Sequence, residues 1–175
     1  AQRDLTLCLG RQRQRCIRAS YYFSEELDKD SDFKLEFMEA DGDVIKTFTN
    51  KKDRKNPSPV ANTKKGMNRF VWNMRYPDAK KVPGAVMWGG RHIGPKAVPG
   101  QYKVKITANG KSQTQTFTIL KDPRINTTQS DFQEQFDLLM DIRDRQTEKN
   151  EKILQIRSKK GQVNTQNSLI CLSYT

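Results

Sequence analysis

Gly66-Met-Asn-Arg-Phe-Val-Trp-Asn-Met-Arg-Tyr-Pro77 is the stretch on which the architecture turns. Phe70 and Trp72 alternate with Val71 at the period of two that marks a β-strand, and Pro77 ends the run. A loop punctuated by glycine and proline follows, Trp88-Gly-Gly-Arg-His-Ile-Gly-Pro-Lys-Ala-Val-Pro-Gly100. Its glycines suit a chain that crosses between sheets and needs positive φ. The loop leads into Gln101-Tyr-Lys-Val-Lys-Ile-Thr107, in which Tyr102, Val104 and Ile106 point inward. Asn109-Gly110 tolerates the backbone of a tight hairpin turn, so this strand pairs with the next, Ser112 to Ile119.

Upstream, Phe33-Lys-Leu-Glu-Phe-Met-Glu39 alternates in the same way and sets Phe33, Leu35 and Phe37 toward a core. Asp41-Gly42 is a second hairpin dipeptide, and Val44 to Phe48 is its return strand. Ala19 to Phe23 is an aromatic-rich strand candidate; Ser24 to Ser31 and Asn50 to Lys65 read as polar loops. Ala85 to Trp88 reads as a short strand or a loop-anchoring patch. Seven or so short strands joined by tight turns indicate a mainly β fold, an immunoglobulin-like antiparallel β-sandwich over residues 19–121. Residues 1–18, rich in Arg and Gln, read as an irregular leader not necessarily native to the domain.

After Asp122-Pro-Arg124 the period changes. Phe132, Phe136 and Leu139 recur at helical spacing, with Leu138 and Ile142 widening the stripe and Ile153 and Ile156 continuing it. Thr128 is the expected N-cap, with Asp131 three residues on, and Gly161 the expected C-terminal stop. A long C-terminal α-helix therefore occupies 122–163, followed by a tail at 164–175 that is either a short strand at 169–172 or without regular structure. The sandwich can cover the first half of the helix, whereas the second half has no visible partner. Its stripe of Phe132, Phe136, Leu139, Ile153 and Ile156 is therefore a candidate interface for a homodimer.

A chain of 175 residues with a mean hydropathy of −0.87 has enough apolar residues for one modest core. No apolar run is long enough to span a bilayer, and Leu5 to Leu9 is too short for a signal-peptide core. If exported, the chain is a mature or excised piece. The net charge of +12 permits an acidic partner, yet the denser patches at 11–18 and 51–55 lack interleaved aromatics and match no nucleic-acid module. Cys8, Cys16 and Cys171 form neither a zinc pattern nor a disulfide framework; free thiols are the favoured state over a Cys8–Cys16 bridge.

Catalysis has little to work with. His92 is the only histidine, and its glycine-rich loop favours an exposed or locally hydrogen-bonded role. Asp28, Asp30 and Asp32 resemble the start of a calcium loop, but its sixth position is Phe33 instead of glycine. Those carboxylates, with Asp41 and Asp43, read as solvated turns, and no metal or cofactor is expected. Trp72 reads as core. Trp88 and Tyr76, with Arg91 and His92 beside them, are candidate ligand-binding residues through sugar stacking and hydrogen bonding.

Gly66 to Pro77, Trp88-Gly-Gly, Gly94-Pro-Lys-Ala-Val-Pro-Gly-Gln-Tyr102, Thr114-Gln-Thr-Phe117 and Asp122-Pro-Arg124 together resemble the C-terminal region of bacterial BNR-repeat, sialidase-like or sortilin-like glycosyl hydrolases. The strand–loop–Pro-Gly-x-Tyr pattern is also similar to the Ig-like domain of flagellar hook-capping proteins. The first resemblance runs over about residues 19–160 and implies an Ig-like module that follows catalytic β-propellers. Asn73 stands where that family commonly has Asp. No propeller is present, so no catalytic residue carries over. The resemblance implies a non-catalytic accessory or interaction module of a secreted, periplasmic or cell-surface protein, with the propellers as partners. The alternatives are a carbohydrate-binding module and a basic nucleic-acid-binding domain.

Overall fold

The computed structural model describes residues 5–9, 16–28, 31–52, 58–85 and 92–172, the backbone alone for 5–9 and 164–172. Trp88 and Arg91, and with them most of the Ala85–Trp88 patch, lie outside the described residues. Seven strands are present among those described: β1 (Leu5–Leu9), β2 (Ile17–Phe23), β3 (Phe33–Glu39), β4 (Val44–Thr49), β5 (Gly66–Trp72), β6 (Gly100–Ala108) and β7 (Lys111–Ile119). They form two antiparallel sheets, one ordered β1-β2-β5 and the other β4-β3-β6-β7. One helix among the described residues, α1 (Gln129–Leu172), follows. The chain divides into two compact units, one of residues 1–77 with 96–134, the other of residues 78–95 with 135–175.

The sheets follow from the alternation. Tyr21, Phe33, Leu35, Phe37, Trp72, Val104 and Ile106 are all buried, whereas Val71 and Met67 on the opposite face are exposed. Phe37 of one sheet stacks on Trp72 of the other, with ring centroids 4.5 Å apart. Phe48 meets Phe70 at the same separation, also across the sheets. Offset and edge-on packing of this kind adds roughly 0.5–1.5 kcal/mol per pair to the area buried. Trp72 Nε1 donates to the Arg75 carbonyl at 3.3 Å, so the indole is buried with its donor satisfied.

Both hairpin dipeptides act as expected. Gly42 has φ of 112°, and Asn109 and Gly110 have φ of 49° and 77°, the paired left-handed geometry of a tight two-residue turn. Thr128 and Asp131 cap α1 reciprocally: Thr128 N donates to Asp131 Oδ2 at 2.8 Å, and Asp131 N to Thr128 Oγ1 at 3.2 Å. The Thr128 amide, and after it the Thr128 side chain, hold the Asp131 carboxyl below its ordinary range.

Three sequence expectations need correction. The 1–18 leader contributes a strand: β1 pairs antiparallel with β2, Leu5 opposite Phe23 and Leu9 opposite Ala19. Its Leu-Thr-Leu-Cys-Leu alternation is a β signal, hidden by the arginine-rich residues after it. The helix does not stop at Gly161. No left-handed φ occurs there, and a glycine inside a helix costs only about 1 kcal/mol relative to alanine, so α1 continues to Leu172. Residues 169–172 are accordingly helical, not a strand. The second half of the helix also has a partner, described next.

Candidate functional site

Tyr76 and Tyr102 belong to the sheet unit. Tyr76 is 6 % exposed, and its hydroxyl donates to Glu39 Oε1 at 2.6 Å. Tyr102, the third residue of β6, donates to the Val98 carbonyl four residues upstream at 2.8 Å. Burial pushes the Tyr102 hydroxyl up to about 12, and the Glu39 charge adds to the shift. Burial raises Tyr76 further, reinforced by its hydrogen bond to the Glu39 carboxylate. The candidate stacking residue Tyr76 is therefore set into the interior, where its polar end serves a structural bond.

The helical unit is built around the loop 78–95. Val82-Pro83-Gly84-Ala85 closes a turn with Pro at its second position and Gly84 at φ of 74° at its third, Ala85 N donating to the Val82 carbonyl at 3.2 Å. Ala79 N donates to the His92 carbonyl at 2.9 Å, and Gly94 N to Asp78 Oδ1 at 3.1 Å, which tie the two ends of the loop together. His92 thus takes part through its backbone, and its half-buried ring has no hydrogen-bond partner at Nδ1 among the described residues.

One face of α1 grips this loop at Lys80. Lys80 N donates to Thr147 Oγ1 at 3.2 Å, and the Lys80 carbonyl accepts from Asn150 Nδ2 at 2.6 Å. Both backbone groups of one loop residue are satisfied by side chains one turn apart on the helix. Asn150 is 9 % exposed, the one buried polar residue of the helix among those described. Around this centre lie the Lys80–Glu151 ion pair at 3.0 Å and a bond from Arg157 Nη1 to the Pro83 carbonyl at 2.9 Å. Ala79 and Val82 are buried beside them. Sequence reasoning missed this clasp, because Thr147 and Asn150 lie in a stretch that is polar throughout.

The other face of α1 is open. Leu138 is 61 % exposed, Ile142 52 %, Ile153 36 % and Ile156 66 %, with Leu139 and Val163 also exposed. At about 100° per residue, Leu138, Ile142, Ile153 and Ile156 fall within an arc of about 60°, and Thr147 and Asn150 fall outside it. Of the five candidate interface residues, Leu139, Ile153 and Ile156 are exposed, whereas Phe132 and Phe136 are half-buried.

Among the described residues no cluster of three His, Cys, Asp or Glu could hold a metal ion. Asp41 caps the Asp43 amide at 3.1 Å, Asp32 lies 3.5 Å from Lys34, and Cys16 is a free thiol. Among the described residues no helix is long and apolar enough to cross a membrane. No protein-family model matches the chain, and neither a curated protein nor a solved structure matches it.

Proposed function

We propose that the chain is a non-catalytic interaction module, an immunoglobulin-like β-sandwich bearing a helix that docks onto another protein surface. The observation that carries this reading is the two-faced helix: one face is fastened to the 78–95 loop, and the other presents Leu138, Ile142, Ile153 and Ile156 to solvent. Clustered exposed apolar residues on one face of a charged helix, here in two patches, favour an interaction site. The strand order β1-β2-β5 and β4-β3-β6-β7 supports the Ig-like part. So does Tyr102, whose hydroxyl bonds back to Val98 at the start of a strand in the manner of the tyrosine corner of such sandwiches. The sequence resemblance to the region after sialidase-like propellers supports reading the module as an accessory of an exported glycosyl-hydrolase-like protein.

The reading is tested by placing the photo-crosslinker benzoylphenylalanine at Ile142 and, as a control, at exposed Lys111 on β7. A protein adduct at Ile142 and none at Lys111 is expected; no adduct at Ile142 would overturn the docking role. Turnover of aryl glycosides by the purified chain would overturn the non-catalytic part. A saturable tryptophan-fluorescence change with a glycan would favour the carbohydrate-binding alternative.

A further inference from the structure

The helix α1 carries a charge pattern along its length that bears on what occupies its open face. Residues 129–144 of the helix hold five carboxylates (Asp131, Glu134, Asp137, Asp141, Asp144) against Arg143, a net charge of −4. Residues 145–172 hold Arg145, Lys149, Lys152, Arg157, Lys159 and Lys160 against Glu148 and Glu151, a net charge of +4. The helix dipole favours this polarity only within the first and last turns. Most of these residues lie well inside the helix, so the dipole does not account for the division.

We infer that the open face pairs with the same face of a second copy of this chain, the two helices antiparallel. This deepens the interaction reading by naming the partner. A nearly common register carries it. Setting Ile142 against the partner's Ile153 also sets Leu138 against the partner's Ile156, one residue from the same register, and each contact occurs twice about the two-fold axis. On one flank of this seam stand Glu134, Asp141, Arg145, Glu148, Lys152 and Lys159. Two residues from that register, a displacement of about 3 Å that side chains of this length span, Glu134 meets the partner's Lys159, Asp141 the partner's Lys152, and Arg145 the partner's Glu148. Every one of these pairs is of opposite charge. In a parallel pair this flank would face the partner's opposite flank, and these six residues would not meet one another.

The polar stretch at Gln146 and Lys149 separates the two apolar patches and falls at the two-fold axis. Sliding one helix would bring those polar groups against isoleucine, so the gap fixes the register as a polar core position does in a coiled coil. The clasp and the pairing use different faces. Asn150 and Thr147 hold the loop, and Asp141–Arg145 and Glu148–Lys152 already align as ion pairs within each helix at 2.8 and 2.6 Å.

The full chain is studied by sedimentation equilibrium. A concentration-dependent dimer is expected, weakened about tenfold or more at low salt by Glu134→Lys with Asp141→Lys, and likewise by Lys152→Glu with Lys159→Glu. An equimolar mixture of these two charge variants regains the wild-type affinity as a heterodimer. All four positions are on the helix surface, and circular dichroism checks that helix content is kept. Orientation is read by disulfide trapping in chains with Cys8, Cys16 and Cys171 replaced by Ser. Ile142→Cys chains mixed with Ile153→Cys chains cross-link to each other, whereas Ile142→Cys chains alone do not. Residue 142 and its own copy are displaced by eleven residues, about 16 Å, in the antiparallel pair. That is beyond the reach of a disulfide, whose Cα atoms lie within about 7 Å of each other. A monomer at every concentration, or preferential Ile142→Cys self-cross-linking, overturns the inference. A photo-adduct at Ile142 with a different protein, and none with a second copy, overturns it while leaving the interaction role standing.

Discussion

Asn150→Ala is the most informative single change in the helical unit. It removes the donor that meets the Lys80 carbonyl at 2.6 Å, in a site where Asn150 is only 9 % exposed. A buried acceptor left without its partner costs about 1–3 kcal/mol, and the cavity left by the amide gives it little water to turn to. That free energy is lost from the docking of the 78–95 loop on α1. Hydrogen exchange at the amides of Ala79 and Lys80 reports the loss, because these groups donate to the His92 carbonyl and to Thr147 Oγ1. Their protection should fall by about 5- to 150-fold, the conversion of the same range at 1.4 kcal/mol per factor of ten. Thr147→Val removes the acceptor of the Lys80 amide and should act in the same direction. Truncation of the Lys80 side chain to Ala deletes the 3.0 Å ion pair with Glu151, whose members are 53 % and 47 % exposed. Such pairs contribute about 0–1 kcal/mol, so this variant should change protection little. Loss in Lys80→Ala equal to or greater than that in Asn150→Ala would refute the argument that buried backbone satisfaction, not the ion pair, holds the loop.

Phe37→Ala should lower the stability of the sheet unit by about 3–5 kcal/mol in denaturant titration, since Phe37 is fully buried and stacks on Trp72 at 4.5 Å. Gly110→Ala should cost about 1–2 kcal/mol through its φ of 77° alone, because an added Cβ would meet nothing within 4 Å; a neutral effect on the melting temperature would contradict this. Stability should also fall in alkali. Tyr21, Tyr76 and Tyr102 have hydroxyls raised above the ordinary tyrosine value of 10, first of all by burial. Below pH 10 both states keep these protons and stability is unaffected. Above it the unfolded chain ionises first, so stability declines as pH rises toward the raised native values. Tyr76→Phe should reduce the steepness of that decline in urea titrations between pH 9 and pH 12.

How much of this was legible depended on distance along the chain. Asp41-Gly42, Asn109-Gly110 and the Thr128–Asp131 cap are local devices, complete within four residues, and each appears where its residues stand. Period-two alternation likewise marked Phe33 to Phe37 and Phe70 to Trp72, because burial on one face of a strand needs only its own sequence. β1 was lost because its five residues are too short to outweigh the arginines beside them, and what marks it as a strand is a partner ten or more residues away. The clasp was beyond sequence reasoning for a stronger reason. It joins Lys80 to Asn150 through a backbone carbonyl, which every residue possesses, and an amide that differs from its polar neighbours only in being buried.

The helix adds a further lesson. Phe132, Phe136, Leu139, Ile153 and Ile156 read as one stripe with one purpose, yet the described surface divides them. Phe132 and Phe136 are half-buried, and Ile153 and Ile156 stand open with Leu138 and Ile142. A helix with two neighbours on different faces spreads its apolar residues around more of its circumference, and a single-period reading merges them. The charges resolve what the apolar residues blur: their sign changes near the middle of α1, at the same place as the gap between the two open patches. Burial on the clasp face records a contact made within the chain, whereas charge order along the helix is the feature that the proposed pairing with a second copy would use.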